Sequence, residues 1–176
     1  IQEVADRWIA PYQKPFARFA LDLKHQLESS VPMADKPNFV LETYIRTTPE
    51  ALWDALTRPE LTALYYYGTR IDSELRQGGP FRYLTGDGQV MLDGEVIEIE
   101  PMKKIVSSFI PSWAENSQPT LVTFAIEPLG EVVKFTITHH DYEKANAGID
   151  TGWPVVVAGL KTLLETGKPL NLPTSM

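Results

Sequence analysis

The chain has 176 residues, 43% hydrophobic and 22% charged, enough for one domain with its own core plus an appendage. It has no cysteine, which excludes disulfides, thiolate nucleophiles and cysteine-ligated metals and fits a reducing cytoplasm, the expected location. Its net charge of −7, from 16 basic and 23 acidic residues, argues against nucleic-acid binding by this chain alone, and no apolar run reaches the ~18 residues of a membrane span.

Residues 1–29 read as a helical arm. Trp8, Tyr12, Phe16, Phe19, Leu23 and Leu27 are spaced 4, 4, 3, 4 and 4 apart, a narrow seam of the coiled-coil kind. Pro11 and Pro15 should kink it near Ala10 to Lys14. The seam is expected to mediate a homodimer, with docking back onto its own domain as the alternative, because an unpartnered aromatic seam in water is the least stable arrangement. Residues 30–37, polar and holding two prolines, read as a linker.

The domain is expected over 38–170. A strand at Asn38 to Arg46 precedes a short helix whose Thr47 and Glu50 have capping-box spacing and whose Leu52, Trp53 and Leu56 are buried. Thr57-Arg58-Pro59-Glu60 opens a second short helix to about Leu64. Strands follow at about Asp72 to Arg76, Pro80 to Thr85, Gln89 to Glu100, Lys103 to Ile110, Thr120 to Glu127 and Glu131 to His140, with turns at Gly86-Asp87-Gly88, Pro101-Met102 and Leu129-Gly130. Short connections favour an antiparallel sheet. The last element runs from Gly152, with Thr151 as cap, Pro154 in the first turn and Gly167 as terminator. Trp153, Val156, Val157, Leu160, Leu163 and Leu164 form one helical face for a core. A capped amphipathic helix closing a series of strands suggests a sheet wrapped around it.

Three segments in this order, YIRTTPEALWDALTRPELTALYY (Tyr44 to Tyr66), VTFAIEPLGEVVKFTITH (Val122 to His139) and GWPVVVAGLKTLLETG (Gly152 to Gly167), resemble the bacterial homologues of the heat-shock protein 90 ATPase activator, within the SRPBCC superfamily. The resemblance implies an α+β helix-grip fold, a curved antiparallel sheet around a long C-terminal helix with an apolar cavity between. It implies no shared catalytic set. EVADRWIAPYQKPFARFALDLKHQLE (Glu3 to Glu28) is similar to the dimerisation helix of ArsR-type repressors. That match suggests a dimer contact, and leaves open whether a winged-helix domain precedes Ile1.

Strand alternation selects the cavity candidates. Phe135, Ile137 and His139 share a face, as do Phe81 with Tyr83 and Ser107 with Phe109, and Phe124 joins them from its neighbouring strand. Trp153 and Val157 look from the helix toward the sheet. Met91, Trp113 and the run Tyr65-Tyr66-Tyr67 are placed at the mouth. An apolar pocket with polar anchors is one reading of this set; a core filled by its own aromatic rings is the other. His139, on an otherwise apolar strand face, could hold a ligand carbonyl or act as a base, or simply bond within the protein. His139 and His140 point to opposite faces, so no metal site is expected, and no cofactor motif occurs: GxSxG, P-loop and dinucleotide glycine patterns are all missing. Glu98 and Glu100 read as a solvated outer face.

The expected function is non-catalytic binding of a small hydrophobic or amphipathic ligand, with His139, Tyr83 or Ser107 fixing its orientation. The rivals are a chaperone-partner module, the sensor half of a repressor, and a hydrolase or cyclase using His139.

Overall fold

The structure, a computed structural model, describes residues 38–172. The arm, its linker and the resemblance to a repressor helix lie outside the described residues. The elements in chain order are β1 (Phe39–Ile45), α1 (Pro49–Thr57), α2 (Pro59–Thr62), β2 (Arg70–Ser73), β3 (Phe81–Leu84), β4 (Val90–Asp93), β5 (Val96–Glu100), β6 (Lys104–Pro111), β7 (Thr120–Leu129), β8 (Val132–His140), a 3-10 turn (Tyr142–Ala145) and α3 (Ile149–Thr166).

The eight strands form one antiparallel sheet in the order β1-β8-β7-β6-β4-β3-β2, with β5 pairing β6 beside β4. The expected α+β helix-grip arrangement is therefore present. Alternation in β8 sends Val133, Phe135, Ile137 and His139 inward, and the same period in β7 sends Val122, Phe124 and Ile126 to meet them. From the other side, α3 lays down Trp153, Val156, Val157, Leu160 and Leu163, all buried in the same core. Each such side chain taken out of water contributes roughly 1.5–3 kcal/mol. Helix α1 closes one end of the core with Leu52, Trp53, Ala55 and Leu56.

Four local expectations change. Thr48, not Thr47, caps α1: its side chain accepts from the Ala51 backbone N–H at 3.2 Å. The strand expected at 72–76 forms at Arg70–Ser73 instead. The single strand expected over Gln89 to Glu100 is two, because at Gly94 the backbone passes so close to the carbonyls of Ser108 and Phe81 that a Cβ would collide with both. Helix α3 begins one turn earlier than expected, after Gly148 in the left-handed conformation (φ 63°). Thr151 is thus inside the helix, its hydroxyl donating to the Gly148 carbonyl at 3.0 Å, and Pro154 is an interior proline on the exposed side. Gly167 ends the helix as expected, left-handed, donating its N–H to the Leu163 carbonyl at 2.8 Å.

Candidate ligand-binding site

A cavity of about 400 Å³ opens beside the N-terminal turns of α3. Its floor is Phe109 of β6 together with Trp153 and Val156 of α3. One wall is Tyr66 and Tyr67 from the segment after α2, and the other is Met91 of β4 with Trp113 from the loop after β6. The stretch Ala147, Gly148, Ile149, Thr151 and Gly152 forms the rim. No side chain in this lining carries a formal charge at neutral pH. Burial pushes the Tyr66 hydroxyl well above its ordinary pKa, with Tyr83 adding to the shift, and raises that of Tyr67 as well.

The lips are tied to the helix entry. Tyr67, 57% exposed and with a positive φ of 51°, donates from its hydroxyl to the Gly152 carbonyl at 3.2 Å. Trp113, 49% exposed, donates from its indole N–H to the Ala147 carbonyl at 3.4 Å. Asn146, itself left-handed, donates from its side-chain amide to the Glu115 carbonyl at 3.0 Å. These bonds hold exposed aromatic rings over an apolar hollow, an arrangement that burial alone would not favour.

Behind the cavity the aromatic rings fill their own space. Tyr66 and Tyr83 stack with centroids 4.0 Å apart and planes 12° from parallel. Trp153 meets Phe109 and Phe124 at 6.0 and 5.8 Å. Of the residues selected from the sequence, Met91, Phe109, Trp113 and Trp153 line the cavity, as do Tyr66 and Tyr67 of the tyrosine run, while Tyr65 does not. Phe81, Tyr83, Ser107, Phe124, Phe135, Ile137, His139 and Val157 lie deeper, buried and outside its lining.

His139 is fully buried, and both ring nitrogens have protein partners. The Trp153 indole N–H donates to Nδ1 at 3.1 Å, so the proton sits on Nε2, which donates to Thr120 Oγ1 at 2.7 Å. Loss of solvation, reinforced by His140, lowers its pKa to about 3. An imidazole with both nitrogens committed, and that hard to protonate, has no lone pair to act as a base on a ligand. It orients Trp153, which does line the cavity.

Ala147, Gly148, Ile149 and Thr151 were not selected from the sequence, because the helix was expected to start after them. The only signal for them was Gly148, whose freedom to adopt positive φ permits the earlier start. The mid-helix Gly159 is explained by its own chain. A Cβ there would lie 3.1 Å from the Tyr65 Cβ, so the residue accommodates the packing of the α2–β2 segment.

Sheet, helix and hollow together define a helix-grip fold of the SRPBCC type, one that commonly binds hydrophobic ligands. The family model described as Activator of Hsp90 ATPase homolog 1-like protein matches residues 46–165, and the chain belongs to that family. Among solved structures it is similar to protein MLL2253 from Mesorhizobium loti, with 28% identity over 73% of this chain and 96% of that one and a TM-score of 0.61. It also shares its fold with CalU16 from Micromonospora echinospora (18% identity, 80% and 81% covered, TM-score 0.63). A third match is an Aha1 from Colwellia psychrerythraea, a dimer in solution (22% identity, 75% and 98% covered, TM-score 0.60). No curated protein is matched. Among the described residues no helix is long and apolar enough to cross a membrane, and no group of three or more metal-ligating side chains occurs.

Proposed function

We propose that this chain binds an uncharged, apolar or amphipathic small molecule in the hollow beside the start of α3. The observation that carries this reading is the lining itself: rings of Tyr66, Tyr67, Phe109, Trp113 and Trp153 around about 400 Å³, without a formal charge. Such a site rewards removal of apolar surface from water and disfavours a carboxylate or phosphate, which would lose hydration without a counter-charge. Backbone groups at the rim and the Tyr66 and Tyr67 hydroxyls are the polar contacts on offer. No chemistry is assigned to the site, since the histidine that the sequence put forward as a base is spent within the core.

The test is titration with N-phenyl-1-naphthylamine, a neutral apolar fluorophore, on the native chain and on Val156→Trp. The indole should fill the hollow and weaken binding about tenfold or more, with the fold retained by circular dichroism. Equal affinity in both proteins overturns the reading.

Family membership favours a second reading, a role as a chaperone-ATPase partner. It calls for the ATPase rate of a heat-shock protein 90 with and without this chain. A stimulated rate that Val156→Trp leaves unchanged would place that activity on a surface other than the hollow.

A further inference from the structure

The core lies on one side of the sheet. It takes Ile105 and Phe109 from β6, and Val122, Phe124 and Ile126 from β7. Alternation sends Val106, Ser108 and Leu121 to the opposite, outer face. There Ser108 stands against Leu121, Val106 against Glu98, and Ile97 sits in the β5 bulge. Glu95 lies next to Ser108, joined by a bond from the Glu95 backbone N–H to Ser108 Oγ at 2.9 Å.

An outer sheet face left to water is polar and exposed. At the β1 edge this face is indeed open, with Val40 55% and Tyr44 52% exposed. Toward β5 and β6 it is closed: Glu95, Ile97, Val106, Ser108 and Leu121 are all between 2% and 5% exposed. Ile97, Val106 and Leu121 are buried yet belong to no part of the core beneath α3. Nor do the longer described helices cover them, because every buried apolar side chain of α1 and α3 belongs to that core on the other side.

We propose that this outer patch is the seat of the chain's own N-terminal segment, with Phe16, Phe19, Leu23 and Leu27 laid over Ile97, Val106 and Leu121 as a further layer. Reach permits it. The segment joins at β1, and Ser29 to Pro37, nine residues, extend to about 30 Å. Crossing β8 and β7 to β6 takes three strand spacings, roughly 14 Å. Size permits it, since a helix from Phe16 to Leu27 is about 18 Å long and presents one apolar line. Charge does not oppose it: from Phe16 to Leu27 the segment carries Arg18 and Lys24 against Asp22, and the patch bears Glu95 together with Glu98, which pairs with Lys104. The layer turns the sheet into the middle of a helix–sheet–helix sandwich.

The absence of native cysteine makes the test direct. In the full chain, single Val106→Cys, Val40→Cys and Ile105→Cys variants are labelled with a maleimide. Val106→Cys should react at least about tenfold more slowly than Val40→Cys on the same face. Adding Phe16→Asp with Phe19→Asp should remove that difference while Ile105→Cys, on the core side of the same strand, stays protected. If Ile105→Cys is released too, the domain has unfolded, and Phe16→Ala replaces the double change with a smaller acceleration expected at Val106→Cys alone. A Val106→Cys rate indifferent to the seam overturns the proposal. A short bismaleimide between Val106→Cys and either Phe16→Cys or Leu23→Cys should give cross-linked monomer. Cross-linked dimer, or no cross-link with either partner, overturns it.

Discussion

The deep core around His139 and the hollow around Trp113 are built from the same residue types and lie a few ångströms apart through Trp153, yet one is filled and the other is open. In the deep region the strands set ring against ring, Phe124 against Phe135 at 5.8 Å and Phe109 against His139 at 4.6 Å. In the hollow the outer rings come from two loop segments, at Tyr67 and at Trp113, each pinned by a single hydrogen bond to the entry of α3. Aromatic content therefore does not decide between a core and a site. What decides it is whether regular strands or hydrogen-bonded loops hold the rings apart.

The largest expected effect is at Trp153, which both regions share. Trp153→Ala removes packing on Phe109 and Phe124 and strips His139 Nδ1 of its donor. It should cost about 3–5 kcal/mol in urea unfolding and also abolish fluorophore binding. Thr120→Val touches only the deep region. It leaves a buried Nε2–H without an acceptor and should cost about 1–3 kcal/mol while leaving affinity for the fluorophore unchanged. A large loss of affinity there would mean that the two regions are not separate.

Two buried groups make the contrast testable by pH. The pKa of His139 is about 3 in the folded chain, below its ordinary value, so the unfolded state binds the proton first. Its contribution is complete above about pH 6.5 and is lost as pH falls toward 3. Glu95, on the outer face, has the opposite sign: burial, with Asp93 adding to it, raises its pKa to about 7. The folded state then holds the proton longer, so stability falls as pH rises from about 4.5 to 7. Glu95→Gln should remove the fall between about pH 4.5 and 7 and add about 1–2 kcal/mol at pH 8, leaving the His139-linked rise from about pH 3 to 6.5, as read by chemical unfolding at several pH values. The smallest effect on stability belongs to the mouth. Trp113→Ala should change stability by less than about 1 kcal/mol but weaken fluorophore binding several-fold, the reverse of Thr120→Val.

Much of the domain was legible in advance because it rests on local period. The two-residue alternation of Val133, Phe135, Ile137 and His139 fixed which side of β8 is inward, and the helical stripe from Trp153 to Leu163 fixed the gripping face of α3. Element ends were less legible. The choice between Thr47 and Thr48 as cap depends on which hydroxyl meets the Ala51 N–H, and the break at Gly94 depends on two carbonyls distant in sequence. In the candidate site, Met91, Phe109, Trp113 and Trp153, with Tyr66 and Tyr67 of the tyrosine run, could be selected as large or aromatic residues in the correct places. The rim at Ala147 to Thr151 could not, since small residues and a left-handed glycine carry no apolar period.

The sequence by itself determined the order of elements, the inward face of each strand and the kinship they imply, because side-chain direction follows directly from backbone repeat. Only the tertiary structure decided that His139 is a core hydrogen-bonding residue and that the hollow lies at the helix entry. Those outcomes depend on partners far apart along the chain: Trp153 and Thr120 closing on one imidazole, and Tyr67 and Trp113 fastened to carbonyls 85 and 34 residues away. Such distances are set by how the sheet curves around α3, which no local pattern encodes.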